Sequence, residues 1–448
     1  MLQSCRSIIL KTSENLPDNV IHLSSNLQQY WKICSDRVTI KLGVNTGEYY
    51  FKQFSDKKNQ LHVPVSLWNH WNLPQKEIKL MGCYKKQTAT IILGPIIGLL
   101  TEISKQADFG TLQTFSEEVQ HAISSVGGIF YMFSPQHLTD TAISGFYFYE
   151  EQWQKMILPL PSVVYNRIRS RSFEKSSSFQ YFKEKLDFKK IPFFNDHYLE
   201  KHTVHEVLLS AKQLHRYLPE TKIASDTNIT TLLEKYHRLF FKPVCGSQGR
   251  HIIRLTAEEN LFKAEISSGN EITNSFANID SFLDWFSGLQ QKREYLVQQA
   301  VPFLHDNHRP LDFRLLCHKT SDNSWRVISS IARISGKEQF VANLARGGEM
   351  HKTKDLLAGF FELPKASELH LQMKQLAVEI AEILNNHEDG LIGELGIDFG
   401  IDTKGNIWII EVNAKPSKMN DSKELQMIRP SAKALIEYCI FLTFIDYS

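Results

Sequence analysis

Lys242 closes an apolar run, Phe240-Phe241-Lys242-Pro243, and a glycine-punctuated stretch follows it, Val244-Cys245-Gly246-Ser247-Gln248-Gly249-Arg250-His251. A strand that runs into such a turn can aim several backbone N–H groups at one anion, with a cation beside them. This is a device for holding phosphate. The order is not that of the P-loop, because here the lysine precedes the glycines. The competing reading is a hairpin turn with an incidental lysine.

Further along, Gly396-Ile397-Asp398-Phe399-Gly400 is followed by a turn at Thr403-Lys404-Gly405-Asn406. The return run is Ile407-Trp408-Ile409-Ile410-Glu411-Val412-Asn413. The turn makes the two runs antiparallel neighbours, and Glu411 and Asn413, two apart, point the same way. Asp398, Glu411 and Asn413 each interrupt a strongly apolar strand. Carboxylates buried together are costly without a partner, and Mg²⁺ accepts carboxylate, amide and phosphate oxygens. The hairpin is therefore a candidate Mg²⁺ shelf facing phosphates held by Lys242, unless these residues sit on an edge strand facing water.

Arginines supply a third group. In Leu311-Asp312-Phe313-Arg314-Leu315-Leu316 the alternation puts Asp312 and Arg314 on one face. Arg333 follows an apolar run at 327–331, and Arg346 lies in Asn343-Leu344-Ala345-Arg346-Gly347-Gly348-Glu349. Guanidinium forks suit phosphate and carboxylate oxygens. Any one of these arginines alone reads as a surface ion pair.

The elements that must carry these groups alternate. Residues 1–87 contain short β-prone runs such as Val38-Thr39-Ile40-Lys41-Leu42-Gly43 and Glu48-Tyr49-Tyr50-Phe51, which predict a small barrel or meander with no evident internal repeat. Residues 88–190 open with a buried strand, Thr88 to Leu93, then an amphipathic helix at 115–126 and a strand at 128–133, a unit of the open α/β type. The polar run at 170–178 reads as a mobile surface loop. From 191 onward the pattern predicts helices at 203–217, 281–289 and 366–386. Strands are predicted at 239–243, 252–255, 295–299, 312–318, 325–331, 396–400 and 407–412. The fold class is α/β.

Bulk properties narrow the function. The chain has 448 residues, 42% hydrophobic and 22% charged, with a formal net charge of +2. That is enough for two to four domains, and it gives no reason to expect nucleic-acid binding or a membrane anchor. Six cysteines lie far apart without Cys-x-x-Cys spacing, so they read as reduced thiols rather than a zinc or redox site. The longest apolar stretch, 91–100, is about half a membrane span and carries Gly and Pro. The N-terminal apolar run is too short for a signal peptide. The expectation is a soluble, cytoplasmic protein.

Taken in order, these constellations resemble the ATP-grasp superfamily over residues 195–445, and the finer pattern is similar to the YheC/YheD family of endospore coat-associated proteins. Lys242-Pro243-x-x-Gly246-Ser247-x-Gly249-Arg250, Asp312-Phe313-Arg314, Asn343 to Gly348 and Glu411-Val412-Asn413-Ala414-Lys415-Pro416 carry that closer likeness, with Gly94-Pro95-Ile96-Ile97-Gly98 upstream. The resemblance implies an ATP-grasp domain over 191–448, preceded by a pre-ATP-grasp α/β domain at 88–190 and a β-rich domain at 1–87. It implies ATP and one or two Mg²⁺ ions as cofactors. Lys201 and Lys242, the loop residues Gly246, Ser247, Gln248 and Gly249, the strand-end residues Gln298, Gln299, Ala300 and Val301, and Asn343 would bind nucleotide. Asp398, Glu411 and Asn413 would hold metal. Arg314, Arg333 and Arg346 would face the transferred phosphoryl group, with Lys415 a further phosphate or substrate candidate.

The implied chemistry is a ligase that activates a small-molecule or peptide carboxylate as an acyl phosphate for attack by an amine or other nucleophile. Such phosphoryl transfer rests on positioning and charge neutralisation and needs no protein nucleophile. Spore-coat components and a second copy of the chain are the further partners the resemblance suggests. Two other functions compete: a non-catalytic nucleotide-binding coat or scaffold protein, and a small-molecule kinase. A turnover assay separates the first from the ligase, and a stable phosphorylated product identifies the second.

Overall fold

Ile8 and Leu10, Val38, Ile40 and Leu42, and Ile78 and Leu80 alternate with more exposed residues, so each of these short strands has one apolar face to bury. In the computed structural model, which describes residues 5–103, 108–244, 251–259, 261–267, 272–336, 348–418 and 428–445, they bury it against one another in a closed barrel. Its strands are β1 (Arg6–Ser13), β2 (Val20–Ser24), β3 (Arg37–Leu42), β4 (Asn45–Phe54), β5 (Gln60–Pro64), β6 (Glu77–Lys85) and β7 (Thr90–Gly94), in the order β1-β5-β2-β4-β3-β7-β6.

The barrel is built from two similar halves, which corrects the expectation that the chain lacks a repeat. β2 leads into helix α1 (Ser25–Trp31), which ends at Lys32 with φ +50°. β5 leads into helix α2 (Val65–His70), and Asn72 follows with φ +52°. β1 pairs parallel with β5, as β4 does with β2; β1 pairs antiparallel with β6, as β4 does with β3. In sequence the repeat survives as His22, Leu27 and Trp31 against His62, Leu67 and Trp71. The two leucines and two tryptophans are buried, so core packing accounts for them.

β7, the apolar run that reads in sequence as opening the second unit, instead pairs with β3 and β6 and completes the barrel. Only Pro95 separates it from β8 (Ile96–Leu100), the first strand of a second sheet. The other strands of that sheet are β9 (Ile129–Phe133), β10 (Ala142–Tyr149), β11 (Gln152–Pro159), β12 (Val163–Asn166) and β13 (Phe193–Phe194), in the order β11-β10-β9-β8-β12-β13. β9, β8, β12 and β13 are parallel. Ile96, Leu100, Tyr131 and Phe133 share one hydrophobic core with the barrel interior. Helix α3 (Gln113–Val126) packs on this sheet beside the chain's last described helix, α11 (Pro430–Phe444).

The polar run at 170–178 is not a loop. It forms the start of α4 (Arg171–Glu174) and α5 (Ser177–Phe188), capped by the Ser170 and Ser176 hydroxyls, which accept from the Phe173 and Phe179 amides. Serines that look loop-like by composition are here helix caps.

A third sheet contains β14 (Thr221–Ile223), β15 (Arg238–Pro243), β16 (Ile253–Glu258), β17 (Leu261–Ile266), β18 (Ile272–Phe276) and β19 (Tyr295–Gln299), ordered β14-β19-β15-β16-β17-β18. Helices α7 (Asp226–Tyr236) and α8 (Ile279–Gln290) pack on it, with Phe241, Phe282 and Phe286 in contact. The fourth sheet runs β23-β22-β21-β24-β25, from β21 (Arg309–Lys319), β22 (Trp325–Ile334), β23 (Glu349–Lys352), β24 (Glu394–Ile401) and β25 (Ile407–Asn413), with β20 (His305–Asp306) paired to β21. The helix expected at 203–217 divides into α6 (Lys201–Ser210) and a 3₁₀ segment at Lys212–Tyr217. α9 (Thr353–Leu357) and the long α10 (Leu363–His387) complete this region. No described helix is long and apolar enough to cross a membrane.

Candidate active site

The third and fourth sheets face each other across a cleft lined by Lys242, Thr221 and Gln298 on one side and Glu411 and Ile410 on the other. α6 forms its floor and brings in Lys201, Val204, His205 and Leu208. Lys242, the penultimate residue of β15, lines the cleft and is in register with Leu296 of β19. Lys201 stands at the first position of α6 and reaches across to Glu411, Nζ to Oε1 at 3.4 Å.

Among the described residues Lys242 makes no ion pair. Burial and the neighbouring Lys201 charge push its ammonium down to about 8, against the pull of Glu411 and Asp398. His205 is likewise held down by burial and by His202 and Lys242. Two cations and a neutral imidazole thus share a partly closed space. A polyanion entering it would meet the Lys242 charge, which no carboxylate pairs among the described residues.

The carboxylate hairpin forms around the turn at 403–406, and a bulge between Asp398 and Phe399 shifts its register by one residue. Asp398 of β24 lies opposite Glu411 of β25, and Gly396 opposite Asn413, so the three oxygen-bearing side chains rise from one face. Asp398 does not stand free. Its Oδ2 accepts from Arg314 Nη2 at 2.7 Å and lies 3.0 Å from Arg333 Nη2, while its Oδ1 accepts from Arg314 Nε. Arg333 in turn grips Asp312, Nε to Oδ1 at 2.6 Å and Nη2 to Oδ2 at 2.5 Å. Asp312, Arg333, Asp398 and Arg314 therefore form an alternating buried chain across β22, β21 and β24. Burial works against the Asp398 carboxylate, but Arg314 and Arg333 outweigh it and hold the group below its usual range. Gly396 is required here: a Cβ would lie 2.8 Å from Pro416 Cβ and 3.4 Å from Arg314 Cδ.

Two carboxylates and an amide on adjacent strands suit Mg²⁺ by donor type, with phosphate or water oxygens completing the shell. No cluster of three or more His, Cys, Asp or Glu exists among the described residues, so the amide of Asn413 is needed. Because Arg314 and Arg333 occupy Asp398, the oxygens open to an ion are foremost those of Glu411 and Asn413.

The residues expected at the end of β19 separate. Gln298 lines the cleft and donates from Nε2 to Thr221 Oγ1 at 2.7 Å. Gln299 and Ala300 spend their amides on neighbouring strands, donating to Glu220 and Arg238 carbonyls, and the Val301 carbonyl accepts from Phe303. Gly246, Ser247, Gln248, Gly249, Asn343 and Arg346 lie outside the described residues. Lys415 turns toward the second sheet. It pairs with Glu174 and donates to the Ile168 carbonyl at 3.3 Å, so it is not among the cleft cations.

Sequence reasoning did not single out His205 or Thr221, whose types carry no motif. It also missed a second buried charge cluster. Glu394, fully buried at the start of β24, binds Lys418 and accepts from the Tyr165 hydroxyl at 2.5 Å, with Arg167 at 3.7 Å. Arg167 donates onward to the Pro416 carbonyl at 2.7 Å. The Asn195 side chain knits the same region, bonding the Gly393 and Glu394 amides and the Glu394 and Ala414 carbonyls.

The YheC/D-like ATP-grasp family model matches residues 190–442. The endospore coat-associated protein YheD of Bacillus subtilis (strain 168) is 29% identical over 339 residues, covering 73% of this chain and 74% of its own. The endospore coat-associated protein YheC of the same organism is 25% identical over 336 residues, covering 72% of this chain and 90% of its own. Among solved structures, the D-alanine-D-alanine ligase from Coxiella burnetii aligns with a TM-score of 0.46 at 12% identity, over 78% of this chain and 95% of that one.

Proposed function

Since the chain belongs to the YheC/D-like ATP-grasp family, we propose that it is an ATP- and Mg²⁺-dependent ligase that activates a carboxylate for attack by an amine or related nucleophile. The observation that carries this reading is the unpaired Lys242 facing Lys201 and Glu411 across a cleft between two sheets. Val204, Leu208, Leu296 and Ile410 add apolar wall to the same cleft. That mixed lining suits a nucleotide, with its phosphates at the lysines and its base near the Gln298–Thr221 pair.

Mg²⁺, when bound, would neutralise phosphate charge and orient the transferred group. Lys242 and Lys201 would draw in the phosphates, and Glu411 and Asn413 would offer the ion its protein oxygens. Arg314 and Arg333, held in place by Asp398 and Asp312, would offer their remaining N–H groups to the oxygens that gain charge during transfer. The two relatives are named as endospore coat-associated proteins, and we place this chain's activity in the same setting.

The test is turnover of MgATP against panels of carboxylates and amines, with hydroxylamine added to trap an acyl phosphate. Release of ADP that depends on a carboxylate, with a hydroxamate recovered, supports the ligase. A phosphorylated product that resists hydroxylamine identifies a kinase. Nucleotide binding with no ADP release across the panel identifies a non-catalytic binder.

A further inference from the structure

The barrel holds a row of basic side chains that the cleft does not use. Four adjacent strands, β1, β5, β2 and β4, are in register at Lys11↔His62, His62↔His22 and His22↔Lys52. Register partners share a sheet face, and the chain neighbours Leu10, Ile21, Leu23, Leu61 and Val63 are buried inside, so the row lies on the outer surface. With strands about 4.8 Å apart it spans about 14 Å.

The two halves of the barrel repeat this surface. Lys11 and Lys52 stand on the equivalent strands β1 and β4, and His22 and His62 on β2 and β5. Along the strand–helix segments 20–33 and 60–73, the identical positions are Leu27/Leu67, Trp31/Trp71 and His22/His62. The first two pairs are core residues. The histidines are half-buried and outward, and packing alone does not explain why both halves have them.

Other groups face the row. Glu77 of β6 pairs with Lys11 at 2.9 Å. Gln60 Oε1 lies 2.9 Å from His62 Nε2, and Asp56 lies near enough to act on His62. Phe54 stacks on His62 at 4.5 Å and lies 6.4 Å from His22. The His22 imidazole nitrogens make no hydrogen bond among the described residues, so a donor stands uncommitted in the middle of the row.

The charge of the whole barrel points the same way. Residues 1–94 carry 12 Lys and Arg against 6 Asp and Glu, a net +6, whereas the remaining chain has 39 against 43, a net −4. The overall +2 conceals this division. A basic outer face on an otherwise acidic protein fits an acidic partner. Peptide carboxylates suit it better than nucleic acid. The exposed tyrosines Tyr30 and Tyr50 are both covered by arginines, Arg6 at 3.9 Å and Arg37 at 4.2 Å, so neither ring offers a free stacking platform for bases.

We infer that the row Lys11, His62, His22 and Lys52 on the barrel's outer face docks an acidic polypeptide segment of a partner protein. Burial and the adjacent cations hold both imidazoles below their ordinary range. A bound carboxylate favours the imidazolium, so affinity rises as pH falls.

The experiment is fluorescence anisotropy of a labelled decaglutamate peptide with the full chain, at about pH 7.5 and about pH 5.5. The expected result is binding that tightens by about tenfold or more at the lower pH. H22Q/H62Q should remove that pH dependence with an unchanged unfolding midpoint, and K11Q/K52Q should weaken binding at both pH values. Should the histidine variant unfold, K11Q/K52Q alone decides. Peptide affinity unaltered by K11Q/K52Q, or unaltered by pH in the parent chain, overturns the inference. Tighter binding of a charge-matched single-stranded oligonucleotide, lost in the same variants, assigns the strip to nucleic acid instead.

Discussion

Lys242 and Lys418 are both buried lysines whose ammonium groups are pushed down to about 8, chiefly by burial, yet they belong to regions of opposite design. Lys418 is answered by Glu394, which also takes up Tyr165 and lies beside Arg167, and Arg167 finds the Pro416 carbonyl. Every charge there has a partner inside the protein. Lys242 faces a second lysine, and its nearest carboxylate influences belong to Glu411 and Asp398, which are engaged with Lys201, Arg314 and Arg333. Burial and a shifted pKa are common to both regions. What separates a structural cluster from a receptive site is whether the charge is matched before a ligand arrives.

The largest expected effect falls on the matched cluster. Glu394→Ala leaves Lys418 and Arg167 buried without a counter-charge and should cost about 3–5 kcal/mol, read by urea unfolding. ADP affinity of the protein that remains folded should not change. A loss below about 1 kcal/mol would show that the cluster carries no structural load.

On the cleft side, Lys242→Met should do the reverse. It removes a desolvated cation, so stability should hold or rise, while ADP affinity should fall about 10- to 100-fold by calorimetry, as expected for a charge-assisted contact to phosphate. An affinity within twofold of the parent would break the contrast.

Asp398 and Glu411 test the division within one hairpin. Asp398→Asn removes the counter-charge of Arg314 and Arg333 and should lower the unfolding midpoint as well as turnover. Glu411→Gln should spare the midpoint and weaken the Mg²⁺ dependence of ADP binding by about tenfold. Equal loss of stability in both variants would mean that Glu411 also serves the fold.

The smallest effect concerns pH. In the free protein Lys242 is charged below about 8. Bound phosphate raises its pKa, so ADP affinity should be level between about pH 7, where the ADP phosphates are fully ionised, and about 8, and decline above that by at most about tenfold per pH unit. Lys242→Met should flatten that limb of the calorimetric profile.

The strands that carry Lys242, Arg314, Asp398 and Glu411 were legible because each is an apolar run broken by a charge, and a short turn made β24 and β25 neighbours; the bulge at Asp398/Phe399 that sets Asp398 opposite Glu411 was not legible. That Arg314 and Arg333 close on Asp398 was not. The partners come from strands far apart in the chain, and register between such strands leaves no local trace. The barrel's repeat was hidden for a related reason. Its two halves need only the same pattern of inside and outside positions, so Leu27/Leu67 and Trp31/Trp71 suffice to hold it. The helices at 171–188 were missed because cap serines and loop serines look alike until the backbone is known.

The single residue between β7 and β8 has a consequence of its own. Barrel and second sheet share a core across that junction, so the barrel is a fixed handle rather than a module on a tether. A partner gripped by its outer face is held at a set distance and angle from the cleft. Its local concentration there is governed by geometry, and a segment too short to bridge the gap would gain nothing from being captured.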